Sequence, residues 1–196
     1  MVWIVNDATI KGSETGTSFR QALYFKEIGF NLLDTMIWVK EGGGAIGSQL
    51  SYTQNFEYMF VLSKGRPRTS NIIKDKPNKS FGKIKKNSGR RKANGDVKQE
   101  KPRVVGKFSR RNNWWYIPVG VNKTNHPAVF PEQLANDHIL SWSNEGDVVL
   151  DPFLGSGTTA KMAILNNRHY IGFDISQEYI DIAAKRIQET YESISA

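Results

Sequence analysis

The chain has 196 residues, a net charge of +8, 39% hydrophobic and 11% aromatic residues, and no cysteine. That length holds one well-buried core plus a sizeable insertion, and the composition is that of a folded protein, not a disordered one. It excludes disulfides and thiolate metal sites; no run of about eighteen apolar residues suggests a membrane span, and the absence of a secretion-signal pattern points to the cytoplasm.

Met1 to Val5 reads as a buried strand ending at Asn6-Asp7. A polar loop, Lys11 to Gly16, leads to Thr17 or Ser18 as helix N-cap, and Phe19, Ala22, Leu23 and Ile28 give a helical face closed by Gly29. Asn31 to Val39 is nearly continuous in apolar residues and predicts a strand buried on both faces. Gly42-Gly43-Gly44 is a break, and Phe56 to Leu62 is a third strand.

Periodicity then disappears until about Asn112, which predicts a long loop or a small appended subdomain outside the core. The charge is concentrated there. Between Lys64 and Arg111 stand 18 Lys and Arg against three acids (Asp75, Asp96 and Glu100), leaving 9 basic and 16 acidic residues for the rest of the chain. A basic block within an acidic protein suits a polyanion-binding element. Arg90, Arg91, Lys92, Arg110 and Arg111, interleaved with Asn and Ser, are the candidate phosphate contacts.

Trp114-Trp115-Tyr116 marks the return to packed structure, and Pro131 to Ser143 predicts a helix with Leu134, Ile139, Leu140 and Trp142 as its apolar residues. A strand follows over Asp147 to Phe153, then a loop (Leu154 to Gly157), a helix (Thr158 to Asn166) and a strand (His169 to Phe173) ending at Asp174. Ser176 caps a last helix whose Ile180, Ala183, Ala184, Ile187 and Tyr191 share a face. Strands alternating with helices indicate an α/β fold with a mostly parallel sheet. The three histidines, His126, His138 and His169, are too far apart in sequence to suggest a metal site.

The segment Val148 to Asp174 carries the chemistry. Gly155 and Gly157 let the backbone turn sharply and approach a ligand. The helix N-terminus offers N–H groups, and a carboxylate at the end of the next strand is where a ribose diol is held in doubly wound folds. A phosphate-cradling loop needs Lys-Ser/Thr after its second glycine, and Thr158-Thr159 stands there instead. A dinucleotide fingerprint tolerates Ala160 in place of its third glycine, but Asp151 would repel a pyrophosphate. The same Asp151 suits the ammonium of an amino-acid ligand, which favours S-adenosylmethionine (SAM). A tight strand-to-helix turn with no ligand is the plain structural alternative.

Asp151-Pro-Phe-Leu-Gly-Ser-Gly-Thr-Thr159, preceded by His126-Pro-Ala-Val-Phe-Pro-Glu-Gln-Leu134, resembles the circularly permuted (β-group) SAM-dependent DNA amino-methyltransferases, which methylate the exocyclic amine of adenine or cytosine. The resemblance covers most of the chain outside the basic block. It departs at Phe130-Pro131, where the family often has Lys-Pro. It implies that Asp151, Phe153, Gly155, Ser156, Gly157 and Thr158 line the methionine end of SAM, that Asp174 holds the ribose, and that His126 and Pro127 belong to a segment closing the pocket. It also implies double-stranded DNA as the partner of the basic block, in the place of the family's target-recognition region.

The family's catalytic tetrapeptide, Asp/Asn/Ser-Pro-Pro-aromatic, accepts the amine hydrogens of a flipped base and stacks on its ring. No two of the seven prolines here are adjacent, so no catalytic residue is assigned. By the family's strand order, 3-2-1-4-5-7-6, the C-terminal half of the sheet (strands 5 to 7) occupies residues 1–63 and a basic target-recognition insertion 64–116. The SAM-binding half (strands 1 and 2) occupies 117–196, and strands 3 and 4 have no counterpart. The expectation is an incomplete Rossmann-like sheet, truncated at its N-terminus and completed by a second polypeptide, with a non-catalytic SAM- and DNA-binding fragment as the alternative to an active enzyme.

Overall fold

A computed structural model describes residues 1–40, 51–85, 89–98, 101–119 and 130–195. Two compact units divide the chain: Met1–Asn71 with Asn113–Ala196, and Ile72–Asn112.

In the first unit, β1 (Val2–Val5) is followed by a small hairpin, β2 (Thr9–Ile10) with β3 (Ser13–Glu14), then α1 (Thr17–Glu27), β4 (Asn31–Val39) and β5 (Phe56–Ser63). β5 lies between β1 and β4 and runs antiparallel to both, with Val2 opposite Val61 and Ile37 opposite Tyr58. Trp114–Tyr116, expected at the end of the insertion, is instead a strand (β12 in chain order) that adds parallel to β4, Trp115 opposite Trp38. The order β1-β5-β4-β12 contains the expected 5-7-6 arrangement of the first three strands and adds an edge strand to it.

The run Met59–Leu62 is buried because both sheet faces are covered. Met59 and Val61 pack with Met36, Trp38, Trp115, Ile117 and Leu134 on one face. Phe60 and Leu62 pack under α1, against Ala22, Phe25 and Trp3, on the other. The helix meets the sheet through Ala22 and Phe25; Phe19, Leu23 and Ile28, expected on the apolar face, are exposed. Its cap also differs from expectation. Gly16, at φ 63°, precedes the helix, and Asp7 accepts the Ser18 N–H at 3.1 Å, the Thr15 hydroxyl at 3.0 Å and the Ser18 hydroxyl. Burial would raise the Asp7 carboxyl, but these bonds outweigh it and hold the group below the usual carboxylate range.

The C-terminal part of this unit comprises α2 (Glu132–Trp142), β13 (Val148–Asp151), α3 (Thr158–Leu165), β14 (His169–Gly172) and α4 (Gln177–Ser195). β13 and β14 form a separate parallel pair. β1 and β13 do not pair with each other. Val149 and Tyr170, opposite one another, face α2 and α3 with Ala135, Ile139, Met162 and Ala163. The other face carries Val148, Leu150 and Ile171, exposed among the described residues. α2 spans the two sheets, since Leu134 lies in one cluster and Ala135 and Ile139 in the other. That position buries Asp137, His138 and Ser141 as well, so the helix has no single apolar stripe. On α4 the inward residues are Ile180, Ala183, Ile187 and Thr190; Tyr191, expected among them, is exposed.

The second unit is an antiparallel arm. β6 (Lys76–Pro77) pairs with β11 (Phe108–Ser109), β7 (Ile84–Lys85) with β10 (Arg103–Val104), and β8 (Arg90–Arg91) with β9 (Val97–Lys98). The tip turns over Lys92 to Asp96: the Gly95 N–H reaches the Lys92 carbonyl at 3.0 Å, and Gly95 sits at φ 89°. None of the arm's described residues is buried, so backbone pairing holds it and not a core.

Candidate functional site

The turn after β13 is built by backbone pairing to the strand beside it. The Phe173 N–H donates to the Asp151 carbonyl at 3.0 Å, and the Leu154 N–H donates to the Phe173 carbonyl at 2.8 Å. Gly155 and Gly157 both adopt positive φ, 52° and 81°, a region that favours glycine. Asp174 closes the arrangement: one carboxylate oxygen accepts the Gly155 N–H at 2.8 Å and the other accepts the Ser176 N–H at 2.9 Å. The two elements on which the nucleotide reading depends, the glycine turn and the carboxylate ending the next strand, are therefore in direct contact.

The remaining expected site residues divide into two groups. Asp151 is half-buried and accepts the Phe153 N–H through its side chain at 3.0 Å. The Phe153 ring is 71% exposed and meets the Trp3 ring of β1 edge-on at 6.1 Å, placing that strand beside the turn. Ser156, Gly157 and Thr158, by contrast, are buried and face α4. A Cβ on Gly157 would come within 3.0 Å of the Ala183 Cβ. Glycine at that position therefore answers both to its positive φ and to the close packing of α4. The Ser156 carbonyl and hydroxyl and the Thr158 hydroxyl accept bonds from Arg186 Nη1 at 3.2, 3.2 and 2.9 Å.

Arg186 was not legible as a site residue, because on its own helix it reads as one more surface cation. Its second nitrogen donates to Glu132 Oε1 at 2.6 Å, and Lys161 Nζ donates to the same oxygen at 2.6 Å. Burial would raise the Glu132 carboxyl, but the two cations outweigh it and hold the group below its ordinary range. His126 and Pro127 lie outside the described residues.

On the arm, Arg91, Lys92 and Arg110 are exposed, and Arg90 is placed by its backbone pairing opposite Lys98. Arg111 is engaged within the unit. Its Nε and Nη2 donate to one oxygen of Asp75 at 2.8 and 2.5 Å, holding that carboxyl below its usual range at the base of the arm. Lys92 also meets an acid of its own unit, its Nζ lying 3.8 Å from an oxygen of Asp96.

No helix among the described residues is long and apolar enough to cross a membrane. The model of a DNA methylase family, N6_N4_Mtase, matches residues 1–185. The chain is 55% identical to the orphan methyltransferase M.BamHII of Bacillus amyloliquefaciens, over 96% of this chain and 74% of that protein. It is 29% identical to the type II methyltransferase M.Cfr9I of Citrobacter freundii, over 88% of this chain and 50% of that protein. It is 28% identical to the DNA adenine methyltransferase YhdJ of Escherichia coli, over 81% and 53%. The chain thus spans about half the length of the last two relatives. Among solved structures it resembles the cytosine-N4-specific PvuII DNA methyltransferase, with a TM-score of 0.67 at 20% identity over 98% of this chain and 68% of that one. The crystal structure of the M1.HpyAVI–SAM complex gives a TM-score of 0.61 at 24% identity, over 95% and 74%. These likenesses show a shared α/β fold, and with the family model spanning both the strands of residues 1–63 and the glycine turn, the chain belongs to the N6_N4_Mtase family of DNA methylases.

Proposed function

We propose that this chain binds SAM at the glycine turn and serves the transfer of its methyl group to an exocyclic amine of adenine or cytosine in duplex DNA. The observation that carries this reading is the contact between Gly155 and Asp174. It sets a backbone free of Cβ beside a carboxylate, next to the exposed Phe153 ring. Those features fit a ligand with a ribose, an ammonium and an adenine, and no phosphate. In this reading Asp174 accepts from the ribose, the negative Asp151 faces the ammonium, and Phe153 supplies an apolar surface. Gly155 gives the backbone room, with Ser156, Gly157 and Thr158 shaping the turn from behind. When bound, SAM supplies an electrophilic methyl group.

The arm is the proposed DNA contact, through Arg90, Arg91, Lys92 and Arg110, with Arg111 bracing its base. The order of the elements, with β1, β4, β5 and the arm preceding the glycine turn, supports the permuted arrangement. The sides of β1 and β13 that have no partner strand among the described residues, and the exposed Val148, Leu150 and Ile171, support the further proposal that another segment or polypeptide adds to this sheet. The test is methyl transfer from labelled SAM to duplexes carrying unmodified adenine or cytosine, with calorimetric SAM binding alongside. Incorporation into DNA is expected. Binding without incorporation would favour a SAM- and DNA-binding subunit that does not turn over alone. No binding of SAM would remove the reading.

A further inference from the structure

The glycine turn has backbone bonds, Gly157 N–H to the Leu154 carbonyl at 3.0 Å and Leu154 N–H to the Phe173 carbonyl at 2.8 Å, but two of its residues have no side chain to add to them. Two charged side chains from outside the turn supplement these bonds. Asp174 accepts the Gly155 N–H, and Arg186 donates to the carbonyl of the next residue, Ser156, so a donor and an acceptor of the turn are each tied to an ion. The same Arg186 nitrogen reaches the Ser156 and Thr158 hydroxyls, locking the side chains at the start of α3. Its other nitrogen ends on Glu132, the first residue of α2, which follows directly on Phe130-Pro131. A planar guanidinium with five donors in a fixed fork can serve four acceptors on two elements at once; a lysine ammonium cannot.

We infer that Arg186, anchored by Glu132, is a positioning residue for the methyl-donor pocket: it sets the glycine turn that receives the amino-acid end of the ligand. It reaches that turn from α4 and acts through Ser156 and Thr158, which are buried behind the exposed Phe153. This inference rests on the proposed SAM site and predicts which part of the ligand is affected. The ribose is held by Asp174 at the end of β14, whose place depends on pairing with β13. The amino-acid end depends on the turn itself.

The experiment is calorimetric titration of the full chain with S-adenosylhomocysteine, which keeps the amino-acid end, and with 5′-methylthioadenosine, which lacks it. For Arg186→Ala, loss of bonds to a charged donor should weaken S-adenosylhomocysteine about tenfold or more, while methylthioadenosine changes by less than about twofold. Arg186→Lys should fall between the variant and the parent. Thr158→Val, which removes one acceptor and keeps the shape, should give a smaller loss with the same ligand preference, and it guards against an Arg186→Ala protein that does not fold. Equal losses for both ligands, or unchanged affinity for S-adenosylhomocysteine in both Arg186→Ala and Thr158→Val, would overturn the inference. A parent chain that binds neither ligand would overturn the site itself.

Discussion

The unit carrying the sheets and the arm are held together by opposite means. The first, residues 1–71 and 113–196, has 12 Lys and Arg against 16 acids, and four apolar clusters built around side chains such as Met59, Leu62 and Leu134 that are almost wholly buried. The arm, residues 72–112, has 15 against 3 and no buried residue among those described. Its ladder even sets like charges opposite one another, Lys85 across from Arg103. Such pairs destabilise a hairpin. Apolar burial stabilises the first unit, whereas the arm's acids, Asp75 and Asp96, pair with only part of its excess positive charge. A segment that tolerates self-repulsion is suited to a polyanion.

Four measurements would break or sharpen this contrast. The largest effect should come from the core. Leu134, on α2, is fully buried against the main sheet, so Leu134→Ala should lower the stability of the first unit by about 2–5 kcal/mol in a denaturant titration. Amide exchange at the arm should change far less; equal loosening of both would contradict their separation.

Next comes salt. If the arm binds phosphates, affinity for duplex DNA should fall roughly a hundredfold or more between about 50 and 200 mM salt. A flat salt profile in a fluorescence anisotropy titration would end the phosphate assignment.

Third is acid. Burial against Trp115 and Met59 lowers the His138 imidazole from 6.5 to about 3. The unfolded chain therefore takes up a proton near pH 6.5 that the folded chain refuses. This part of the stability is intact above pH 6.5 and is lost as pH falls toward 3, at about 1.4 kcal/mol per pH unit. His138→Leu should flatten the slope between pH 6.5 and 5 in thermal melts. Asp7 contributes with the opposite kind of group: its carboxyl is depressed below 3.8, so its share is complete above that value and disappears only in stronger acid.

The smallest effect is on the arm's own ladder. Arg103→Glu turns a repulsive rung into an attractive one and should stabilise the hairpin by about 0.2–1 kcal/mol, read as slower amide exchange, while weakening DNA binding. Stronger DNA binding by this variant would count against the arm as the polyanion contact.

Apolar runs and glycine punctuation by themselves determined most elements of the first unit. Met59–Leu62 is uniformly apolar because both its faces are covered, and the glycines at 155 and 157 mark the turn because few other residues take a positive φ. The charge count likewise isolated the arm, though not its ladder, since two-residue pairings without a core leave no periodicity. What only the tertiary structure decided are contacts between distant positions: Asp7 capping α1, Arg186 reaching 30 residues back to Ser156 and 54 back to Glu132, and Gly157 required by Ala183. It also decided which faces of α1 and α4 turn inward, because a helix with apolar residues on several sides is oriented by the surface it meets. Local pattern reports what a residue's own backbone needs; a side chain's partner depends on where the rest of the chain has folded.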